Sequence, residues 1–141
     1  MKSAITYFAQ ALYTALTGDA TLAGLVRVTA EWPDPNIDLP ILVIGDDTIS
    51  QWDDKLKGGQ EIETVLHVFS DYAGWKQVNE ICDAIIEAIV SENGAVSLAG
   101  ASGCRVVSNS GRLAGPIRKI RENDGKILHA VATINFKIQE V

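Results

Sequence analysis

The chain has 141 residues, a length typical of one domain that buries a single hydrophobic core. Its composition is that of a globular protein, with 47% hydrophobic and 21% charged residues, and no apolar run approaches the ~20 residues of a membrane-spanning helix. The net charge of −6 argues against specific nucleic-acid binding. With two cysteines and two histidines, a structural zinc site is not predicted. We therefore expect one domain over residues 1–141, with no cofactor, metal or membrane partner.

The chain begins with an amphipathic helix, predicted over residues 4–17. Its apolar residues recur at spacings of three and four, and Ser3 is a candidate N-cap. Gly18 ends this helix, and Asp19 is predicted to cap a second, short helical turn. The N-terminus lacks the continuous apolar segment of a secretion signal.

Two strands and a polar segment follow. Residues 26–30 are predicted to form a short strand and residues 40–45 a buried one, separated by a proline-containing loop. Residues 46–60 contain four aspartates, two lysines, an exposed-looking Trp52 and a Gly-Gly pair. This segment is too polar for a core and long for a hairpin, which predicts a functional or mobile loop. It lacks the ligand spacing of a calcium-binding EF-hand loop.

The middle of the chain is a strand followed directly by a helix. Residues 61–70 alternate, which predicts a strand with one apolar face and a second face partly covered by something else, such as another subunit. Residues 74–91 carry one broad apolar stripe at helical spacing, and Trp75 is predicted to pack in the core. Ser70 or Asp71 is predicted to cap this helix.

The last third of the chain is predicted to be a flexible segment followed by strands. Residues 93–103 are small and flexible, and candidate strands at 104–108 and 116–121 flank a loop. Asp124-Gly125 is a hairpin turn signal, and the alternating ILHAVATINFKI after it is the clearest strand. The order helix, strands, helix, strands predicts an α+β domain with a mostly antiparallel sheet and two main helices packed on one face.

Reactive residues do not converge in the sequence. His67, Ser70 and Asp71 are close along the chain, but His67 and Ser70 point to opposite faces of a strand. Neither a nucleophile elbow nor a phosphate-binding loop occurs. His67 and His129 lie on the non-core faces of their strands and are candidate neighbours. A ligand or enzymatic site would need a carboxylate to converge on them in a pocket.

Cys82 and Cys104 are predicted to be two buried, free thiols. The charges are divided unevenly: residues 1–100 carry 5 basic and 15 acidic groups, whereas residues 101–141 carry 7 and 3. This division suits copies of the chain that meet head to tail, although simply solvated charges would give the same pattern. The candidate partner or subunit contacts combine an aromatic anchor with charged residues of the polar loop and the basic part. They are Trp52, Asp53, Asp54, Lys55, Lys57, Arg112, Arg118, Lys119 and Arg121.

The order of these patterns has a counterpart in a known family. The most telling segments are ALYTALTGDATLAGLV at 11–26, LPILVIGDD at 39–47, and residues 64–90, which contain VFSD and GWKQVNEICDAI. With these segments the chain resembles the tail-completion, or tail-terminator, proteins of long-tailed bacteriophages and prophages. The resemblance covers nearly the whole chain and rests on order and pattern rather than on a short chemical motif.

What this resemblance implies is a structural virion protein without enzymatic activity. Proteins of this kind look like α+β domains that form a hexameric ring, which caps the head-proximal end of the tail tube and offers a surface for head-tail joining. The implied partners are further copies of the chain, the tail tube protein and the head-tail connector protein. The implied location is the virion tail, assembled in the host bacterial cytoplasm. The alternatives are a head-tail connector or other minor tail component, and a small-ligand-binding or enzymatic domain.

Overall fold

The computed structural model describes residues 5–32, 38–52, 58–90, 104–107 and 111–140. Within these ranges the chain forms three helices and a seven-stranded sheet, an α+β domain as predicted. In chain order the elements are α1 (Ile5–Thr17), α2 (Ala20–Leu25), β1 (Arg27–Thr29), β2 (Ile41–Gln51), β3 (Gly59–Ser70), α3 (Lys76–Ile89), β4 (Cys104–Val106), β5 (Arg112–Leu113), β6 (Arg118–Glu122) and β7 (Ile127–Glu140). No helix within the described residues has the length and apolarity needed to span a bilayer.

Strand β7 organises the sheet. One edge of β7 pairs with β3 from Leu128 to Gln139, and its other edge pairs in turn with β6, β5 and β4. Strand β2 pairs with the far edge of β3, and β1 adds to β2. All of these described pairings are antiparallel except β1 with β2, which is parallel. The sheet is therefore mixed, with one parallel edge strand that the sequence did not predict.

The helices cover one face of this sheet. Side chains of β3 and β7 alternate, so Ile62 and Leu66 join the core while Glu63 and His67 face the other way. The ring of Phe8 on α1 packs against Phe136 on β7, with centroids 5.1 Å apart. Burying each large apolar side chain contributes about 1.5–3 kcal/mol relative to exposure. The helices bring the fully buried Phe8, Leu12, Leu16, Leu22, Val78, Ile81, Ile85 and Ile89.

Strands β2 and β3 are longer than the sequence predicts. The loop predicted over residues 46–60 is wrong at both ends, because residues 46–51 continue β2 and residues 59–60 begin β3, with Gln51 opposite Gln60. The β2 residues 46–51 are largely exposed, so their side chains need no apolar alternation and resemble a loop in sequence. The connection between the two strands is thereby reduced to residues 52–58.

The junction between β3 and α3 also differs from the prediction. The N-cap position of α3 is Trp75, which makes no side-chain capping bond. Ser70 is fully buried. Its hydroxyl oxygen accepts a hydrogen bond from the Tyr72 backbone N–H at 3.1 Å and contacts the side chain of Gln77. The prediction that Ser70 or Asp71 caps the helix is wrong, because residues 71–75 intervene and turn through Gly74 at φ +103°.

The hairpin between β6 and β7 confirms the predicted turn. Asn123 and Asp124 have φ angles of 52° and 56°, the left-handed conformation that a tight hairpin turn requires, and Gly125 follows at 81°. The backbone N–H of Gly125 donates to the carbonyl of Glu122 at 3.1 Å. The loop predicted between the preceding strands contains the two-residue strand β5, which is too short to show a sequence period.

The cysteines are both free thiols, as predicted. Cys82 is buried on α3, and burial raises the pKa of its thiol, which keeps it protonated and unreactive. Cys104 on β4 is half-buried rather than buried.

Several predictions concern residues outside the described ranges. They are the Ser3 cap, the flexible segment 93–103, and the candidate contacts Asp53, Asp54, Lys55 and Lys57.

Candidate assembly surfaces

The basic residues of the last third lie along one edge of the sheet. Because β4, β5 and β6 follow one another along β7, their arginines face β7 residues that are four positions apart. That spacing corresponds to roughly 13 Å along a strand. The basic residues concentrated in the last third of the sequence therefore lie together along one edge of the folded sheet. The cross-strand partners of Arg105, Arg112 and Arg118 are Gln139, Asn135 and Val131.

Strand β6 carries three of the predicted contact residues, Arg118, Lys119 and Arg121. All five residues of this strand are exposed. The Nζ atom of Lys119 and the guanidinium carbon of Arg121 lie 5.4 and 5.3 Å from the centroid of the Trp75 ring. Lys119 also donates to Oδ1 of Asn79 on α3. Trp75 packs against the core as predicted but is only half-buried, because its ring also supports these two cations.

Trp52, another predicted contact, lies at the end of β2 and is half-buried rather than exposed. Its backbone N–H donates to the Gly59 carbonyl at 2.9 Å, and the Nζ atom of Lys137 lies 5.0 Å from its ring centroid. A Cβ atom on Gly59 would lie 2.1 Å from the Trp52 carbonyl oxygen and 2.5 Å from its ring. Closing the hairpin therefore folds Trp52 onto a glycine, an arrangement that sequence spacing did not reveal.

The face of the sheet that the helices leave uncovered holds a histidine pair. Nδ1 of His67 lies 2.8 Å from Nε2 of His129, and Nδ1 of His129 lies 2.8 Å from Oε1 of Glu122. Both bonds form together when His129 donates to an ionised Glu122 and accepts from His67, which assigns the tautomers. The predicted proximity of the two histidines is confirmed.

Aromatic rings enclose this pair. Phe69 stacks on His129 with centroids 4.2 Å apart, and Trp32 lies over His67 at 4.8 Å. A Cβ atom on Gly45 would lie 2.9 Å from two atoms of the His67 ring, so that ring fits closely against β2. Burial, together with the neighbouring His129, lowers the pKa of His67, which favours its neutral form.

Glu122 is the converging carboxylate that a ligand or enzymatic site would require. The sequence did not reveal it, because only the β6–β7 register brings residue 122 beside residue 129. His67 can accept one further proton on Nε2 without breaking the chain of bonds, because its Nδ1–H still donates to His129. The described residues contain no group of three or more His, Cys, Asp or Glu side chains arranged to hold a metal ion. The arrangement thus links β3, β7 and β6 and can hold one extra proton.

An acidic groove lies on the other side of the molecule, between α2 and α3. Its volume is about 510 Å³. Asp19 on its rim accepts a hydrogen bond from the Leu22 N–H at 3.0 Å, which confirms the predicted cap of α2. Glu80, Asp83 and Glu87 project from the α3 face opposite its buried stripe. We define the acidic groove by its lining residues Asp19, Thr21, Leu25, Glu80, Asp83, Ala84 and Glu87.

A second groove, of about 520 Å³, lies between the residues after β3 and the β6–β7 turn. Arg121 and Lys126 line it, together with Tyr72, whose side chain is half exposed. Arg121 of β6 thus lines this groove, whereas residues of α2 and α3 line the acidic groove.

Known proteins share this fold. The chain is similar to a chain in the virion of a native gene transfer agent particle, with 20% sequence identity and a TM-score of 0.75 over 99% of each chain. Among curated proteins no match was found. The family model of tail completion protein gp17 matches residues 10–139. This match confirms the family resemblance carried by residues 11–26, 39–47 and 64–90. The chain therefore belongs to the tail completion protein gp17 family, whose members are structural components of the phage tail.

Proposed function

We propose that this protein is a tail terminator. Copies of the chain form a ring that caps the head-proximal end of the tail tube, stops its growth and offers the surface to which the head joins. The observation that carries the proposal is the family match over residues 10–139, nearly the whole of the chain. The likeness to a chain of a gene transfer agent virion supports the fold on which this role depends.

The proposed ring is a homo-hexamer, and its further partners are the tail tube protein and the head-tail connector. Separate basic and acidic surfaces support assembly by head-to-tail contacts, in which one patch meets a different patch on the next copy. The proposed place of assembly is the host bacterial cytoplasm, before the finished tail joins the head. No residue is assigned a catalytic role, and the His67–His129–Glu122 chain of hydrogen bonds is assigned to holding the uncovered face of the sheet together.

Native mass spectrometry and a capping assay test the proposal together. We expect a closed hexamer at low salt, and we expect the protein to bind the tips of purified tail tubes and to stop their elongation, as seen by electron microscopy. Higher salt should weaken the ring, because exposed ion pairs are screened. Binding to the isolated head connector but not to tube tips would instead assign the protein to the connector. Failure to bind either partner would contradict a terminator role.

A further inference from the structure

We propose that the acidic groove of one copy receives strand β6 of a second copy, and that these two surfaces form the head-to-tail contact between subunits. The inference rests on the proposed ring-forming function and identifies the residues that build the ring.

Lys119 of the same chain lies near the acidic groove, because it donates to Asn79 on α3, but it forms no ion pair with the described carboxylates of the groove. Among the described residues, no cation forms an ion pair with Glu80, Asp83 or Glu87. These three groups and Asp19 line one concave surface, so their mutual repulsion favours a partner that brings positive charge. Leu25 and Ala84 line the same groove, which gives an incoming side chain apolar surface as well as charge. The chemistry of the groove therefore fits lysine and arginine side chains, whose long stems are apolar.

Strand β6 carries lysine and arginine side chains, whose positive charge complements the negative charge of the acidic groove. Within the described part of the chain, Arg118, Lys119 and Arg121 form no ion pair with a carboxylate. The strand is exposed throughout and pairs only with β7 among the described strands. Trp75 and Asn79 already hold Lys119 and Arg121 in place, so docking costs less side-chain entropy than for free lysine and arginine side chains.

The placement of the two surfaces suits a contact that propagates. Strand β6 lies at the edge of the sheet, whereas the groove opens on the outer side of the helix layer, between α2 and α3. Because the two surfaces are different, a contact between two copies uses the groove of one and β6 of the other, and leaves one surface of each copy unused. Contacts of this heterologous kind generate a ring when the rotation between copies closes.

Two double variants separate the two surfaces. The groove variant is Glu80→Lys with Asp83→Lys, and the edge variant is Arg118→Glu with Arg121→Glu. Each should raise the protein concentration needed for assembly on the order of 100-fold or more, since facing like charges cost several kcal/mol. The control reverses two exposed charges of opposite sign near β1, Arg27→Glu with Glu31→Lys, which leaves the net charge unchanged, and it should assemble like the wild type. Circular dichroism and melting curves establish that each variant folds.

Mixing the two variants gives the sharpest outcome. In an equimolar mixture the native β6 of the groove variant meets the native groove of the edge variant, and the introduced lysines meet the introduced glutamates, so assembly beyond that of either variant alone should return. Native mass spectrometry distinguishes the two by mass. Rings that persist in either variant alone, or a mixture that assembles no better than the separate variants, would overturn the inference. A wild-type protein that is monomeric at every concentration would show that this contact does not assemble the ring, and would also overturn the inference.

The capping assay distinguishes failure of this contact from failure of the proposed function. Folded variants that still form rings and cap tubes would exclude the contact between the groove and β6, but would remain consistent with the proposed terminator function. A groove variant that forms normal rings but loses tube binding would show that the occupant of the groove is the tail tube protein, which also overturns the inference. A wild type that neither forms rings nor caps tubes would remove the proposed function itself.

Discussion

His67 and His129 are joined by a hydrogen bond across the uncovered face of the sheet, with His67 Nδ1 2.8 Å from His129 Nε2. The two residues are diagonal neighbours, because the residue directly opposite His129 in the register is Phe69. Phe69 stacks on His129, so each ring of the pair has both a polar and an aromatic partner. Glu122 extends the chain of bonds to the edge strand β6. A change in the protonation of His67 therefore acts on a chain of bonds that joins three strands.

The first prediction concerns pH. Burial, and then the neighbouring His129, lower the pKa of His67 in the folded chain below the value of about 6.5 expected when unfolded. On acidification the unfolded chain therefore binds this proton first. The free energy of unfolding should decrease as the pH falls through 6.5 towards the folded pKa of His67, and should not change further below it. Urea unfolding from pH 7.5 to pH 5, at one protein concentration, measures this decrease.

The control for that experiment is His67→Asn, which does not titrate in this range. Its unfolding free energy should change less over the same pH interval than that of the wild type. Equal changes in the two proteins would assign the pH dependence to groups other than His67.

The second prediction is that Gly45→Ala destabilises the fold. The added Cβ would lie 2.9 Å from two ring atoms of His67 and from the carbonyl oxygen of Val65, and the latter belongs to the backbone and cannot move aside. Overpacking of this kind costs about 1–3 kcal/mol. Gly24→Ala is the matched control, because a Cβ on this α2 residue meets nothing within 4 Å and alanine favours helix by about 1 kcal/mol. Chemical denaturation should give opposite signs for the two variants, and equal signs would contradict the close fit at Gly45.

The third prediction is that Asp47→Asn stabilises the protein at neutral pH. Asp47 lies opposite the buried Thr64, and neither Asp47 Oδ1 nor the Thr64 hydroxyl oxygen has a hydrogen-bond partner among the described residues. Burial raises the pKa of Asp47, and neighbouring Asp46 adds to this, whereas the nearby Thr64 hydroxyl opposes it without reaching hydrogen-bond geometry. The folded pKa therefore exceeds the unfolded one, and stability is lost as the pH rises through the folded value.

The uncharged amide introduced by Asp47→Asn avoids that loss. The gain should stay below about 1 kcal/mol, because the carboxyl group is only half-buried and water screens it. Thermal melts at pH 7 should place the Asp47→Asn variant above the wild type, with the exposed Asp46→Asn as a control of smaller effect. A lower melting temperature for Asp47→Asn would contradict the unfavourable burial of the charge.

Sequence periodicity predicted the elements whose two sides meet different environments. The alternation in β7 and the apolar stripe of α3 indicated the core face, because one side of each is buried. The Asp19 cap and the Asp124-Gly125 turn were readable because each rests on local chemistry. Glu122 was not readable as a partner of His129, since their contact depends on strand register rather than on residue type.

The contacts of α3 also divide into those that the local sequence predicted and those that it did not. The capping role expected of Ser70 failed because Gly74 turns the chain before the helix begins. The stripe placed Trp75 correctly against the core, but could not show that β6 lies over the other side of its ring. Pairings between distant strands decide such contacts, and no local pattern in the sequence encodes them.

The last prediction concerns Trp75→Leu, which keeps apolar volume at the start of α3 but removes the aromatic face beneath Lys119 and Arg121. Cation–π contacts at exposed sites contribute about 0.5–1 kcal/mol each, so the two cations should become less ordered. If ordered β6 side chains are what dock in the acidic groove, assembly of the variant should weaken by roughly 5- to 30-fold while its helical content stays constant. Sedimentation over a concentration series measures the first quantity and circular dichroism the second. Trp75→Phe retains a ring and should recover part of the loss, whereas equal assembly of the Leu, Phe and wild-type proteins would show that the aromatic support does not contribute to the contact.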